Sequence, residues 1–369
     1  MKIVITGGHT SPALALIDTI LAQNQHSVSI EFIGRKFTSS DEDKPSWEYQ
    51  EITRRKIPFH NLEAGRLTRS LSLQSFAHIL KSPFGLFSAY QILRKTRPDS
   101  VMSFGGYIAL PVCISAILQR IPYYSHEQTI EPGLTNKMLS KFAKKMFVAF
   151  PETEHFFEKN KTIVSGNLLR SSIFTVTKKI LPQSVKRPVI YITGGSLGSH
   201  SLNMRVAEIL PELLEMATVI HQTGNVKEFR DYFSLLKMHD ELPEKKQKEY
   251  ILREHIADDE IGSVFNLADM VVGRAGANTF SELIILKKPA VLCPLPWSAH
   301  DEQKKHAEFF KKNGLGEIYD QYEPANQLLS ITTKMLERLP VYRKNFDKVN
   351  KRYTQNAVSI VLNEIIKNT

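Results

Sequence analysis

Met1-Lys2-Ile3-Val4-Ile5-Thr6-Gly7-Gly8-His9-Thr10-Ser11-Pro12 opens the chain and decides its fold class. Ile3-Val4-Ile5-Thr6 reads as a short buried strand, Gly7-Gly8-His9 as a turn, and Ser11-Pro12 as the opening of a helix. Ala13, Leu14, Ile17, Ile20 and Leu21 continue that helix at helical spacing. A glycine turn between a strand and a helix N-terminus is an anion cradle, because backbone N–H groups and the positive end of the helix dipole face it. His9 adds a group able to move a proton near neutral pH. The stretch predicts an α/β protein that handles a phosphorylated ligand.

The same grammar recurs. Strands alternate with helices along the chain, which predicts parallel sheets with helices on both faces. Residues 28–33 form the next expected strand, ending at Gly34-Arg35-Lys36. A dinucleotide site would carry an acidic residue there, which argues against NAD and leaves NADP formally open. Further strands are expected at 100–103, running into Gly105-Gly106-Tyr107, and at 122–125, ending at His126-Glu127-Gln128. Two more follow, at 147–150 and 162–165. A second set begins at 188–193 with Gly194-Gly195-Ser196-Leu197-Gly198 and a helix from Leu202. Residues 218–221 then lead into Gln222-Thr223-Gly224, 269–273 into Arg274-Ala275-Gly276, and 289–294 into Leu295-Pro296. Two α/β units thus carry turns at the carboxyl ends of strands, where open α/β sheets bind ligands, and they are expected to face one another across a cleft. The expected domains are 1–165 and 166–340, with C-terminal helices at 341–369 packing back towards the first domain. Residues 237–254, dense in charge, read as a solvated loop or helix face.

Composition narrows the function. The chain has 369 residues, 42% of them hydrophobic, which suits two soluble domains. The apolar run before Gly7 is too short for a signal peptide. The longest uncharged apolar stretch, 108–118, is about half of the ~20 residues a spanning helix needs, so a cytoplasmic location is expected. Cys113 and Cys293 read as buried free thiols. The formal charge of +10 fits nucleic acid, an anionic membrane surface, an acidic substrate or plain solubility. No zinc finger, RNP motif or basic heptad is present, which sets nucleic acid aside. Residues 67–93 are rich in apolar side chains, flanked by Arg66, Arg69, Lys81, Arg94, Lys95 and Arg97, with Pro83 and Gly85 breaking the helical pattern. Core packing is one explanation; a peripheral contact with anionic lipid is the other. Asp41-Glu42-Asp43 formally matches the Asp-x-Asp of metal-dependent sugar transferases, yet it and Asp258-Asp259-Glu260 read as solvated acidic loops. No residue group has metal-ligand spacing.

Three constellations carry chemistry. Gly194-Gly195-Ser196-Leu197-Gly198 is either a tight strand–helix turn or a phosphate cradle in which Ser196 donates its hydroxyl. No Gly-Lys-Ser/Thr follows, so it is not a P-loop. In Arg274-Ala-Gly-Ala-Asn-Thr-Phe-Ser-Glu282, small residues admit a ligand to the backbone. Asn278 and Thr279 suit a helix start, and Glu282 either complements the helix dipole or forks onto the vicinal diol of a ribose. His300-Asp301-Glu302-Gln303 offers Asp301 and Gln303 to sugar hydroxyls, though alone it is a charged helix start.

Read in order, seven segments resemble glycosyltransferase family 28, the MurG-type UDP-N-acetylglucosamine transferases of peptidoglycan synthesis. They are Gly7-Gly8-His9-x-x-Pro12; Gly105-Gly106-Tyr107; His126-Glu127-Gln128 with Gly133-Leu-Thr-Asn-Lys137; Gly166-Asn167-x-x-Arg170; Gly194-Gly195-Ser196-x-Gly198; Arg274-Ala-Gly-Ala-x-Thr279-x-x-Glu282; and Pro294-x-Pro296 with Asp301-x-Gln303. The resemblance implies a GT-B fold of two Rossmann-like domains, the acceptor on the first and the UDP-sugar on the second, with no metal or other cofactor. Arg170, Gly195, Ser196, Ile256, Ala277, Asn278, Thr279, Glu282 and Gln303 would hold the donor. Gly7, Gly8, His9, Gly105, Gly106, Tyr107, Gln128 and Thr129 would hold the acceptor. His9 is the first candidate general base and Glu127 the second.

The implied reaction is inverting transfer of N-acetylglucosamine to the 4-hydroxyl of a polyprenyl-diphosphate-linked muramyl peptide. It implies a peripheral place on the inner face of the plasma membrane, with the anionic lipid surface and other cell-wall enzymes as partners. The first loop is shorter than the family's Gly-Gly-Thr-Gly-Gly-His, the family's His-Glu-Gln-Asn ends here in Thr129, and the segment around Ala257-Asp258 carries an extra residue. The alternatives are a related glycolipid synthase, a UDP-sugar epimerase, or a non-catalytic nucleotide-sugar-binding scaffold.

Overall fold

The computed structural model describes residues 1–23, 28–39, 42–63, 73–177, 188–225, 229–298, 301–349, 353 and 356–368. The chain forms two units, Met1–Arg170 with Thr354–Thr369, and Ser171–Tyr353. The first boundary falls after Arg170 rather than at 165/166, because the segment following Ser165 stays with the first unit. Gly166 N–H donates to Val148 O at 3.3 Å, and Leu168 is buried in that unit's core.

In the first unit β1 (Lys2–Thr6) leads into α1 (Thr10–Ala22) and β2 (Ser29–Gly34). A small antiparallel hairpin follows, β3 (Phe37–Ser39) with β4 (Glu42–Pro45), then α2 (Trp47–Arg54) and β5 (Phe59–Asn61). The acidic segment at 41–43 therefore enters a strand, with Asp41 itself outside the described residues. Next come α3 (Leu73–Thr96), β6 (Ser100–Ser103), α4 (Gly106–Leu118), β7 (Tyr123–Glu127), α5 (Leu134–Leu139), β8 (Lys145–Val148) and β9 (Thr162–Val164). Seven parallel strands make one sheet in the order β5-β2-β1-β6-β7-β8-β9.

β1 is apolar on both faces, as a covered parallel strand must be. Ile3 and Ile5 pack with Leu16, Ile17, Phe32 and Phe147, while Val4 between them packs with Ile33, Val101, Val112 and Val148. α3 runs unbroken through Pro83 and Gly85, against expectation. Its second half is anchored on α4, with Ala89 and Leu93 buried, Ser115 Oγ donating to Leu86 O at 3.2 Å and Gln119 Nε2 to Tyr90 O at 3.0 Å. This tertiary packing outweighs the roughly 3 kcal/mol an interior proline costs. Arg66 and Arg69 lie outside the described residues.

The second unit runs β10 (Val189–Thr193), α6 (His200–Met216), β11 (Thr218–Gln222), α7 (Asp231–Glu241), α8 (Glu244–Gln247) and β12 (Tyr250–Arg253). It continues with α9 (Ile261–Leu267), β13 (Met270–Gly273), α10 (Ala277–Ile285), β14 (Ala290–Leu292), α11 (Glu302–Lys312), β15 (Gly316–Ile318), α12 (Ala325–Glu337) and α13 (Leu339–Val349). Its six parallel strands lie in the order β12-β11-β10-β13-β14-β15. The last helix, α14 (Ala357–Asn368), returns to the first unit and buries Val361, Leu362 and Ile365 there, whereas α13 stays with the second. Lys351 and Arg352 lie outside the described residues.

Of the two readings of the charge-dense segment 237–254, the solvated helix face holds for its first part, and its last residues form a strand. The segment carries the end of α7, then α8, then the edge strand β12, whose Tyr250 and Leu252 are buried while Arg253 is exposed. In both sheets the strand order reverses once, between β1 and β6 and between β10 and β13. The turns after those four strands lie at the switch points, where open α/β sheets bind ligands.

Candidate active site

In the first unit the turns after β1 and β6 touch. Gly8 has φ +129°, and a Cβ on it would lie 2.4 Å from Gly105 O; Gly105 and Gly106 have φ +76° and +78°. Only glycine permits this approach. Gly7, Gly8, Gly105 and Gly106 are thus brought together, with Tyr107 in the first turn of α4 accepting from Arg35 Nη1 at 3.5 Å. His9 is the N-cap residue of α1 and makes no side-chain cap bond. Burial draws its pKa below the ordinary 6.5, and the charge of Glu127 opposes that shift. The imidazole is neutral at pH 7, the state that accepts a proton.

Glu127 ends β7 and is buried. Its Oε1 accepts from Thr129 N at 3.0 Å and Thr129 Oγ1 at 2.7 Å, and its Oε2 from Gly133 N and Asn136 Nδ2, both at 2.9 Å. Four donors fill the acceptor capacity of a carboxylate. Glu127, the second candidate base, is thus held by the protein through both oxygens, and its charge acts on His9. Thr129 is likewise turned inward: its single hydroxyl proton is shared between Glu127 Oε1 and Glu131 O, the latter at 2.6 Å.

Gln128 is buried, and its Oε1 has no protein donor, an opening for a ligand hydroxyl. His126 is held by Gly166 O, 3.0 Å from its Nε2, and burial takes its pKa down to about 4.

In the second unit Gly195 N–H donates to Thr193 Oγ1 and Gly198 N–H to Gly195 O, closing the turn after β10 and leaving Ser196 exposed at its tip. Gly198 has φ +84°, and a Cβ there would meet Thr223 O at 2.1 Å, so this turn rests directly on the one after β11. Ser199 caps α6. Its hydroxyl also accepts from Arg274 Nε at 3.1 Å and Nη2 at 2.7 Å, while Arg274 Nη1 donates to Cys293 O at 3.1 Å. Arg274 of the sequence motif is thus a buried clamp joining the ends of β13, β14 and α6.

α10 starts at Ala277 after Gly276, with no side-chain cap. Ala277, Asn278 and Thr279 form its first turn, and Glu282 lies one turn on, buried. Gln303 lies in the first turn of α11; its Oε1 accepts from Leu295 N at 3.0 Å, which leaves its amide nitrogen as the donor for a hydroxyl. Ile256 sits half-buried in the loop after β12. These residues all belong to the carboxyl edge of one sheet. Arg170 is exposed and is the last residue of the first unit's leading segment, so the structure does not group it with them. His300 lies outside the described residues.

Sequence reasoning missed several supporting groups. A buried chain runs from Tyr250 through His221, Asn203 and Asp231 to His200: His221 Nδ1 lies 3.0 Å from Tyr250 Oη, and its Nε2 lies 3.1 Å from Asn203 Oδ1. Asn203 Nδ2 donates to Asp231 Oδ2 at 2.8 Å, and Asp231 Oδ1 holds His200 Nδ1 at 2.6 Å. Glu48 was missed as well: its carboxylate lies against the turn that carries His9. Cys113 and Cys293 are buried and free as expected, their thiols pushed up to about 12 and about 11 by burial.

Residues 4–148 match the glycosyltransferase family 28 N-terminal domain and residues 189–358 its C-terminal domain. A UDP-N-acetylglucosamine--N-acetylmuramyl-(pentapeptide) pyrophosphoryl-undecaprenol N-acetylglucosamine transferase of Clostridium perfringens is 32% identical, over 99% of this chain and 96% of its own length. One from Bacillus thuringiensis, strain Al Hakam, is 31% identical over 99% of each. The solved structure of Acinetobacter baumannii MurG matches with TM-score 0.71 at 26% identity, covering all of both chains. The calicheamicin glycosyltransferase CalG4 matches with TM-score 0.72 at 13% identity and shares the GT-B fold alone. With both halves matched in order, this chain belongs to glycosyltransferase family 28.

Proposed function

We propose that the chain is an inverting hexosyltransferase that moves N-acetylglucosamine from UDP-N-acetylglucosamine to the 4-hydroxyl of an N-acetylmuramyl peptide carried on a polyprenyl diphosphate. The observation that carries this reading is the pair of switch-point turns in one family 28 chain. One is a glycine turn at a helix N-terminus suited to phosphate; the other presents a neutral histidine beside a saturated carboxylate.

The acceptor oxygen bonds to the anomeric carbon as the bond from that carbon to the UDP oxygen breaks. The hydroxyl proton passes to His9, and UDP leaves with the electron pair. Attack from the side opposite UDP gives a β linkage. The charge on UDP is met by the amides of residues 194–198, the Ser196 hydroxyl and the N-terminus of α6. Glu282 takes the ribose hydroxyls, the Ile256 backbone the uracil, and Gln303 the sugar hydroxyls. This reading uses no metal or other cofactor.

The test is UDP release from UDP-N-acetylglucosamine in the presence of a soluble acceptor analogue. Release that depends on the acceptor supports a transferase. Donor binding without turnover supports a scaffold, and formation of an epimeric UDP-sugar without acceptor supports an epimerase.

The same reading places the protein peripherally on anionic membrane. No helix among the described residues is long and apolar enough to cross a bilayer. Leu134, Met138 and Phe142 are exposed at four-residue spacing, beside Lys137 and Lys141, and Phe84, Phe87 and Leu118 are exposed on α3 and α4. Exposed apolar anchors interleaved with cations fit a lipid surface. The double variant M138E/F142E is expected to lose about tenfold or more of its affinity for anionic phospholipid vesicles, with UDP release on a soluble acceptor unchanged. Equal vesicle binding by the variant would refute this placement.

A further inference from the structure

The carboxylate of Glu48 lies where a bound anion would lie. Gly8 N–H donates to its Oε2 at 3.3 Å, and the Thr10 hydroxyl donates to the same oxygen at 3.1 Å. Arg35 N–H, at the end of β2, donates to Oε1 at 3.1 Å. The carboxylate lies against bare glycine backbone: a Cβ on Gly7 would fall 2.4 Å from Oε1, and one on Gly34 2.2 Å. Glu48 stands in the first turn of α2, so the positive ends of α1 and α2 both favour its charge. α2 is itself docked here, with Ser46 capping it and donating its hydroxyl to Arg35 O at 2.6 Å. Burial raises the pKa of Glu48 despite these three bonds, which marks a carboxylate drawn out of water rather than one resting on the surface.

We propose that Glu48 is the resident anion of the first glycine turn: it positions the Gly8–Thr10 backbone that presents His9, and it keeps the acceptor's diphosphate out of that turn. The second clause rests on the acceptor chemistry proposed above. A phosphate offered the Gly8 amide would meet a carboxylate already bonded to it, and the two negative charges repel. The shortened loop leaves few amides, and this carboxylate takes the one at Gly8. Glu48 touches no reacting atom; it is a positioning residue and an anion filter.

Both carboxylate oxygens accept from backbone N–H groups, so glutamine must set its own NH₂ against one of them. Glutamine is therefore not a silent replacement, and aspartate lacks the reach.

The experiment compares the unmodified chain with E48Q and E48A. UDP is present at saturation to occupy the donor site, and inorganic pyrophosphate is added at millimolar concentrations. The readout is the His9 imidazole resonance by NMR. In the unmodified chain it is expected to stay in place; in both variants it is expected to shift saturably. In turnover, E48Q is expected to lose about tenfold in kcat with an unchanged KM for UDP-N-acetylglucosamine. A Glu48 that merely stiffened the fold would lower thermal stability and leave the turn closed to pyrophosphate.

The proposal is overturned if His9 of the unmodified chain responds to pyrophosphate as the variants do, or if neither variant responds while both remain folded. If E48A does not fold, E48Q carries the comparison. Because the pyrophosphate response needs no turnover, its failure is separate from a failure to release UDP, which would bear on the transferase reading.

Discussion

At the scale of single residues the site depends on two side chains of opposite kind. His9 is kept neutral by burial, and Glu127 is a carboxylate with all its acceptor positions filled. Replacing His9 by alanine is expected to lower kcat by about 10²-fold or more while the KM for the UDP-sugar stays within twofold, read in the UDP-release assay. Glu127 raises the His9 pKa against the larger effect of burial. Removing its charge in E127Q therefore lowers that pKa further, and the acidic limb of the kcat/KM profile is expected to move to lower pH. A limb that stays put or moves up would show that another group is the base. His9 was legible because it follows the first glycine turn. Glu48 was not: its bond to Gly8 spans 40 positions and exists only once β2 and α2 are folded. The Asn136 partner of Glu127 stood in a recognised segment, yet its task emerges only when α5 packs behind β7.

At the scale of elements the glycine turns divide into those that must be glycine and those that have room. Gly198 and Gly195 have nearly the same φ, +84° and +85°, but a Cβ on Gly198 would strike Thr223 O whereas one on Gly195 meets nothing within 4 Å. G195A is expected to cost about 1 kcal/mol of stability, the left-handed strain alone. G198A is expected to cost at least ~2 kcal/mol and to weaken UDP binding, because the turn must lift off its neighbour. Denaturant midpoints of the two variants check the contrast, and UDP titration of G198A checks its loss of binding. Strands that carry these turns were readable from apolar runs of four or five residues. Those the sequence hid, β3, β4, β5, β12 and β15, are three or four residues long. β12 is also flanked by charge, so only pairing with β11 reveals it. α3 was hidden differently, since Pro83 and Gly85 signal a break that packing on α4 overrides.

For the whole molecule, burial of histidines links stability to pH. His126 in the first unit falls to about 4; His221 and His306 in the second fall to about 3 and about 4, each with burial as the leading cause. These values lie below the ordinary 6.5, so the unfolded chain binds the additional protons first as pH falls. Their contribution is complete above about pH 6.5 and is lost progressively towards pH 4, at up to ~1.4 kcal/mol per pH unit for each group. Denaturation at neutral pH and at pH about 5 is expected to show the loss in both units, since burial also draws His9 of the first unit below 6.5. The division of the chain itself was only half legible. A two-domain reading followed from length and repeated turns, but the place of α14 depended on which core its apolar face completes. That helix has a consequence for synthesis. The second unit is continuous in sequence and interrupts the first, whose helix α14 is made only after it. As the nascent chain leaves the ribosome, the face of Ile3, Leu16 and Ile17 must wait for its cover through the production of residues 171–353. The unit whose synthesis starts ahead of the other is thus completed after it.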